Sequence, residues 1–259
     1  MQLFYRTYGN AGQMAIIVIH GVLGVSDNWD NFGKMFAELG FFVIIPDMRN
    51  HGQSPHSDVF NYHVMADDVK QILDKEKIEK CILIGHSMGG KVAMCLAFEF
   101  PEMVERLEIL DISPRQMENL TEHVGFIESM WRVDLGKAER RCDVEAELAK
   151  DNYERRILLF LMKNLSYSHE NGFSWKPNLD AIYKNINEIG VGFDSQRRYF
   201  GPTLFIKGGK SNYILEKDMD CIENHFPNYK MVVLPDSGHW IHVDSPDEFM
   251  EETRKFLME

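Results

Sequence analysis

Six short runs of apolar, largely β-branched residues recur along the chain, with stretches of helical spacing between them. The runs are AIIVI (15–19), FFVIIP (41–46), CILIG (81–85), RLEILD (106–111), PTLFIK (202–207) and YKMVVLP (229–235). Their apolar residues are nearly continuous rather than alternating, which is typical of strands buried on both faces. Strands of this kind that alternate with helices predict an α/β fold with a mostly parallel, doubly wound sheet.

The alternation stops between about residues 113 and 200. Charged stretches with Met and aromatic residues at helical spacing occupy this interval, for example MENLTEHVGFIESMWR and YERRILLFLMKNL. A length of 259 residues suits one α/β domain that carries an insertion. We therefore predict a core formed by residues 1–112 and 201–259, with residues 113–200 inserted as a helical cap, or lid, over the carboxyl edge of the sheet.

Composition limits the partners and the compartment. The formal net charge is −12, from 40 acidic and 28 basic residues, which argues against nucleic acid or an anionic membrane as a partner. The first ten residues, MQLFYRTYGN, lack the apolar segment of a signal peptide, and no apolar run is long enough to span a bilayer. We expect a soluble, cytoplasmic protein.

No sequence motif indicates a metal or a bound cofactor. There is no H-E-x-x-H pattern and no C-x-x-C pair. Four scattered cysteines are expected to be reduced and mostly buried: Cys81, Cys95, Cys142 and Cys221. We expect neither a metal nor a cofactor.

The stretch CILIGHSMGGKVAMCLAFEFP (81–101) contains a G-x-S-x-G motif centred on Ser87. A strand leads into the motif and an apolar helix follows it. In such a sharp strand-to-helix turn the serine is strained and its hydroxyl is exposed, and the glycines avoid collisions. This context predicts a nucleophilic serine rather than an ordinary glycine-rich turn.

The chain resembles an α/β-hydrolase, and most of all the small cytoplasmic esterases of the YbfF type. The motifs that carry the resemblance are HGVLG, DMRNHGQSP, GHSMGGK, LDISP, GGKSNY and GHWIH. The resemblance implies an α/β-hydrolase fold and two backbone N–H groups that stabilise the oxyanion, on Met88 and Val22. It also implies substrate contacts from Leu23, His86 and Trp240, with the side chains of Leu23 and Met88 lining an acyl pocket.

The fold places its histidine base on a loop after a late strand. His239, in LPDSGHWIH, follows the strand run YKMVVLP and directly follows a glycine. His242, three residues later, is expected to pack nearby or to order the loop. We interpret His20, His51 and His86 as structural or wall-lining.

The acid is less obvious, because Asn212 stands where the family usually has an aspartate. Asp111 ends the strand RLEILD, and consecutive strands on one side of a doubly wound sheet lie side by side. Its carboxylate can therefore reach the same imidazole, and the D-I-x-P pattern of YbfF-type esterases fits this position. Asn212 as the orienting residue, or another acid such as Asp218 or Asp194, remains an alternative.

These residues predict a serine hydrolase that acts on small-molecule esters, or thioesters, through a Ser87–His239–Asp111 triad and an acyl-enzyme. Other α/β-hydrolase chemistry is an alternative, including C–C bond hydrolysis, peptidase, lactonase or haloperoxidase-like activity. A non-catalytic binding protein with the hydrolase fold is a further alternative. The substrate, the acyl-chain length and the oligomeric state do not follow from the sequence.

Overall fold

The computed structural model describes residues 1–259 and confirms the predicted fold class. The strands are β1 (Tyr5–Tyr8), β2 (Ala15–Ile19), β3 (Phe42–Pro46), β4 (Cys81–His86), β5 (Val104–Leu110), β6 (Leu165–Ser168), β7 (Gly172–Trp175), β8 (Thr203–Gly208) and β9 (Tyr229–Leu234). The α-helices are α1 (Asp30–Glu38), α2 (Tyr62–Glu76), α3 (Met88–Glu99), α4 (Thr121–Arg132), α5 (Arg141–Leu148), α6 (Arg155–Met162), α7 (Leu179–Lys184), α8 (Ile186–Gly190), α9 (Met219–His225), α10 (Ile241–Asp244) and α11 (Pro246–Met258). None of these helices combines the length and the apolar content needed to cross a membrane.

Seven strands form the main sheet in the order β1-β3-β2-β4-β5-β8-β9. Every neighbouring pair is parallel except β1 with β3, which is antiparallel. The six predicted strands are all present, and β1 is the one strand of this sheet that the sequence did not indicate. Its residues, YRTY, are only partly buried at the edge of the sheet, so they lack the continuous apolar run of a central strand.

The pairing of β4, β5 and β8 aligns the ends of three strands at one edge. His86 pairs with Leu110, and Leu110 pairs with Ile206. Ser87 N donates a hydrogen bond to Leu110 O at 3.1 Å, and Asp111 N donates one to Ile206 O at 2.9 Å. The loops that begin at Ser87 and Asp111 therefore leave the sheet side by side.

The segment between β5 and β8 contains the five helices α4 to α8 and one antiparallel hairpin of β6 and β7. No strand pattern in the sequence indicated this hairpin. Each hairpin strand has only four residues, LSYS and GFSW, too short and too rich in Ser and Gly to give a strand pattern. Apolar residues of the segment, such as Ile127 and Leu161, join the same hydrophobic cluster as Ile17 on β2.

Lys91, on α3, connects the main sheet domain to both ends of this segment. Its side chain is fully buried. Nζ donates hydrogen bonds to the carbonyl oxygens of Arg115 at 2.9 Å and Val191 at 2.5 Å, with Gly190 O at 3.5 Å. Burial lowers the pKa of Lys91 to about 7, since a charged ammonium loses its hydration there.

We expect Lys91→Met to remove a pH-dependent part of the stability. The pKa of Lys91 is about 7 in the folded protein and 10.5 for an ordinary lysine, so the unfolded chain binds more protons between these values. The free energy of unfolding of the wild type should therefore fall, relative to the variant, as the pH falls from about 10.5 to about 7. Urea unfolding at several pH values measures this difference.

Lys184→Met, at an exposed position on α7, is the matched control and should run parallel to the wild type at every pH. A difference between wild type and Lys91→Met that does not change with pH would contradict the prediction.

Candidate active site

Ser87 sits in a strained turn between β4 and α3. Its backbone has φ 54° and ψ −119°, a conformation that non-glycine residues rarely adopt. A Cβ at Gly85 would lie 2.4 Å from Gly89 O, and a Cβ at Gly89 would lie 2.2 Å from Ile19 O. Both outer positions of the G-x-S-x-G motif therefore need glycine so that the turn can pack against its own helix and against β2.

His239 and Asp111 are brought together by the loops that follow β9 and β5. His239 Nδ1 and Asp111 Oδ2 are 2.8 Å apart. Asp111 is fully buried and has a positive φ of 50°. Its Oδ1 accepts a hydrogen bond from Gly208 N at 2.9 Å, and its Oδ2 also accepts one from the Ser211 hydroxyl. Two donors, Gly208 N and the Ser211 hydroxyl, thus hold the carboxylate against the imidazole.

The other acids considered from the sequence bind elsewhere. Asp218 accepts hydrogen bonds from the Arg115 guanidinium and from Leu215 N. Asp194 accepts one from Gln196 N. Asn212 is exposed on the loop after β8, whereas its buried neighbour Ser211 is the residue that reaches Asp111. Of the candidates, only Asp111 contacts His239.

Burial shifts the ionisation of both groups. It raises the pKa of Asp111, and the hydrogen bonds from Ser211 and Gly208 act in the opposite direction. It also lowers the pKa of His239 below its ordinary value, because a charged imidazolium loses its hydration in the site. A neutral His239 whose Nδ1–H donates to Asp111 leaves its Nε2 lone pair free to accept a proton.

Ser87 and His239 line one cleft of about 320 Å³ between the sheet domain and the inserted segment. The apolar part of the wall consists of Val22, Trp29, Phe126, Ile157, Leu159, Phe160, Trp240 and Val243. No hydrogen bond joins the Ser87 hydroxyl to His239 in this structure; catalytic hydrogen bonds often form only when substrate is bound. The predicted contacts His86 and Trp240 both face this cleft.

The neighbouring histidines support the loops. His86 Nε2 donates to the carbonyl oxygen of His239 at 2.9 Å, and burial lowers the pKa of His86 to about 3, so it remains neutral. His20 Nδ1 donates to Gly21 O at 2.7 Å, and its Nε2 accepts from Met48 N at 3.0 Å. His242 stacks on Trp29 with ring centroids 4.2 Å apart.

The two residues expected to supply the oxyanion donors, Met88 and Val22, lie next to Ser87 and at the cleft wall, respectively. Met88 is the first residue of α3, where N–H groups have no acceptor within the helix, and Val22 borders the cleft just after β2. The side chains of Leu23 and Met88, however, do not line the cleft; both are buried in the hydrophobic core, so their expected role in an acyl pocket was wrong. Leu23 has a φ of 57°, and its carbonyl oxygen accepts a hydrogen bond from Asn164 Nδ2.

Three residues of the site were missed by sequence reasoning. Ser211 holds Asp111, and the ring of Tyr213 stacks on that of His239 with centroids 3.6 Å apart. His123, on α4, lines the cleft, and its Nε2 lies 3.5 Å from the Tyr213 hydroxyl. The stretch GGKSNY contained a signal for Ser211 and Tyr213. Their hydroxyl and aromatic ring flank Asn212 on the loop after β8, at the edge of the sheet that carries Ser87 and Asp111.

Comparisons with known proteins identify the family of the chain. A family model described as alpha/beta hydrolase fold matches residues 15–132 and 144–246. The sn-1-specific diacylglycerol lipase ABHD11 of Danio rerio is 38% identical over 99% of this chain and 83% of its own length. Esterase YbfF of Escherichia coli is 32% identical over 93% of this chain and 92% of its own length.

Among solved structures, one described as a marine microorganism esterase superposes with a TM-score of 0.93 at 35% identity. It covers 98% of this chain and 99% of its own. The similarity extends over the sheet, the strained serine turn and the inserted segment together. The chain therefore belongs to the α/β-hydrolase family and lies close to the YbfF-type esterases within it.

Proposed function

We propose that this protein hydrolyses carboxylic esters with Ser87 as nucleophile, His239 as general base and acid, and Asp111 as the residue that orients and stabilises the imidazole. The observation that carries the proposal is the 2.8 Å contact between His239 Nδ1 and Asp111 Oδ2, in the cleft that Ser87 lines. The strained turn at Ser87 supports it, because such strain is found where a nucleophile must be presented.

The protein is a carboxylic ester hydrolase; the esterases and the lipase among its relatives support this level of description. The residues suggest how the reaction proceeds. In acylation, Ser87 Oγ attacks the ester carbonyl carbon while its proton passes to His239 Nε2. The carbonyl oxygen becomes an oxyanion, and the N–H groups of Val22 and Met88 stabilise it. His239 then returns the proton to the leaving alkoxide, and the C–O bond breaks.

Deacylation repeats these steps with water. His239 takes a proton from a water molecule that attacks the acyl-enzyme, and it returns this proton to Ser87 Oγ as the acid leaves. The cation that forms on the ring in both halves lies beside the buried Asp111, which can balance it. Asn212 could not do so even if it reached the ring, since an amide carries no charge.

The wall of the cleft suggests an apolar acyl group. Phe126 belongs to α4 and Leu159 and Phe160 belong to α6, so the inserted segment supplies much of the apolar surface. We accordingly assign residues 113–200 as a cap that shapes the acyl site. The same triad serves an alcohol and a thiol leaving group. The relative turnover of esters and thioesters therefore decides between them.

An acyl-length series tests this proposal. We expect kcat/KM for p-nitrophenyl esters to rise from acetyl toward medium chains, by up to about fourfold per CH2, since one buried CH2 contributes about 0.8 kcal/mol. The same series of coenzyme A thioesters, with the released thiol measured, decides between ester and thioester preference. A wild type that turns over neither series would favour a binding protein with the hydrolase fold.

A further inference from the structure

A cluster of three potential metal ligands lies where α2 packs against α3. His63 is the second residue of α2, and Cys95 and Glu99 lie one turn apart on α3. Cys95 Sγ is 3.8 Å from His63 Nδ1 and 3.6 Å from a carboxylate oxygen of Glu99, and that oxygen contacts His63 Nδ1 directly. None of the three lines the active-site cleft.

Two of the three spacings are close to those of a tetrahedral zinc centre. With Zn–S of about 2.3 Å and Zn–N or Zn–O of about 2.0 Å, a tetrahedral ion separates its sulfur ligand from nitrogen and oxygen ligands by about 3.5 Å. The two sulfur separations, 3.8 and 3.6 Å, are close to this value. His63 Nδ1 and the Glu99 oxygen are in direct hydrogen-bond contact, and they must give up this bond and separate to admit an ion between them. We propose that His63, Cys95 and Glu99 form a three-ligand site for Zn²⁺, with water as the fourth ligand.

The three side chains differ in burial, and the most exposed one gives an ion access from solvent. The Cys95 residue is fully buried, the Glu99 side chain is 24% exposed and the His63 side chain is 60% exposed. An ion can therefore arrive on the imidazole side, with the thiol beneath it. Sulfur, nitrogen and oxygen together suit a borderline ion such as Zn²⁺ better than Mg²⁺ or Ca²⁺, which prefer oxygen alone.

An ion that binds here must displace the proton of the Cys95 thiol and compete with an arginine for Glu99. Burial raises the pKa of Cys95 to about 12, so the metal-free thiol is protonated and must release its proton to solvent as the Zn–S bond forms. The Arg197 guanidinium lies 3.3 Å from the same Glu99 oxygen and competes with the ion for it. Removal of this competitor should strengthen binding, an effect opposite to that of removing a ligand.

Cobalt(II) is the probe for this site, because a thiolate ligand gives Co²⁺ a charge-transfer absorption in the near ultraviolet. Untagged, metal-free wild type titrated with Co²⁺ should develop this band with one equivalent, and Zn²⁺ should abolish it. Cys95→Ala should lose the band. Cys142→Ala and Cys221→Ala should keep it, since these cysteines lie outside the cluster.

Competition with a chromophoric chelator then gives the zinc affinity of each variant. We expect His63→Ala and Glu99→Gln to weaken binding at least about tenfold and Arg197→Gln to tighten it several-fold. Circular dichroism checks that each variant is folded, and ester turnover is not needed as a readout. The proposal is wrong if wild type gives no band, if the band survives Cys95→Ala, or if His63→Ala and Glu99→Gln leave the affinity unchanged.

Discussion

Ser87→Ala is expected to abolish covalent labelling by a fluorophosphonate and to lower kcat on a p-nitrophenyl ester by about four to six orders of magnitude. The reason is that Ser87 Oγ is both the labelled atom and the attacking atom in the proposed mechanism. Loss of the nucleophile of a serine triad has costs of about this size in other hydrolases. Labelling is read by in-gel fluorescence, and turnover by the release of p-nitrophenol.

Ser174→Ala is the matched control, because Ser174 is exposed on β7 and should label and react like the wild type. Labelling that persisted in Ser87→Ala would identify a different nucleophile. A wild type that did not label, although folded, would contradict the assignment of Ser87 and support a binding role instead.

Asp111→Asn is expected to lower kcat about 10⁴-fold, and Asn212→Ala should leave it within about twofold of wild type. An asparagine at the triad acid of a serine protease costs about 10⁴ in kcat because it favours the wrong histidine tautomer. Asp111 is 2.8 Å from His239 Nδ1, whereas Asn212 is exposed. Steady-state turnover of the same ester measures both variants.

Circular dichroism and thermal unfolding show whether Asp111→Asn is folded, which matters because the side chain is fully buried. If Asn212→Ala loses kcat and Asp111→Asn keeps it, the assignment of Asp111 as the acid is wrong. Ser211→Ala is a milder change than Asp111→Asn, because it removes one of the three hydrogen-bond donors to the Asp111 carboxylate and keeps the negative charge.

The strand pattern predicted the sheet well because central parallel strands are apolar on both faces, a requirement that is written into the sequence itself. The position of Asp111 also followed, since adjacent parallel strands end at a common edge. Edge strand β1 and the short hairpin β6–β7 were not predicted, because partly exposed strands need not be continuously apolar.

The rest of the site depends on how loops fold back, and no local pattern describes that. Tyr213 reaches His239 only because the loop after β8 passes beside the loop after β9, and His123 reaches the cleft only through the packing of α4. Leu23 was expected to contact substrate because it belongs to the motif HGVLG. Its backbone is left-handed, and its side chain is buried in the core.

The attachment of the inserted segment has a consequence for how the protein can diversify. Arg115 follows Asp111 by four residues. Lys91 Nζ donates hydrogen bonds to the carbonyl oxygen of Arg115 and to that of Val191, near the far end of the segment. Both ends of the segment are thus hydrogen-bonded to α3, the helix that begins directly after Ser87. We therefore expect substitutions within α4 to α8 to change the walls of the cleft more readily than the distance between His239 and Asp111.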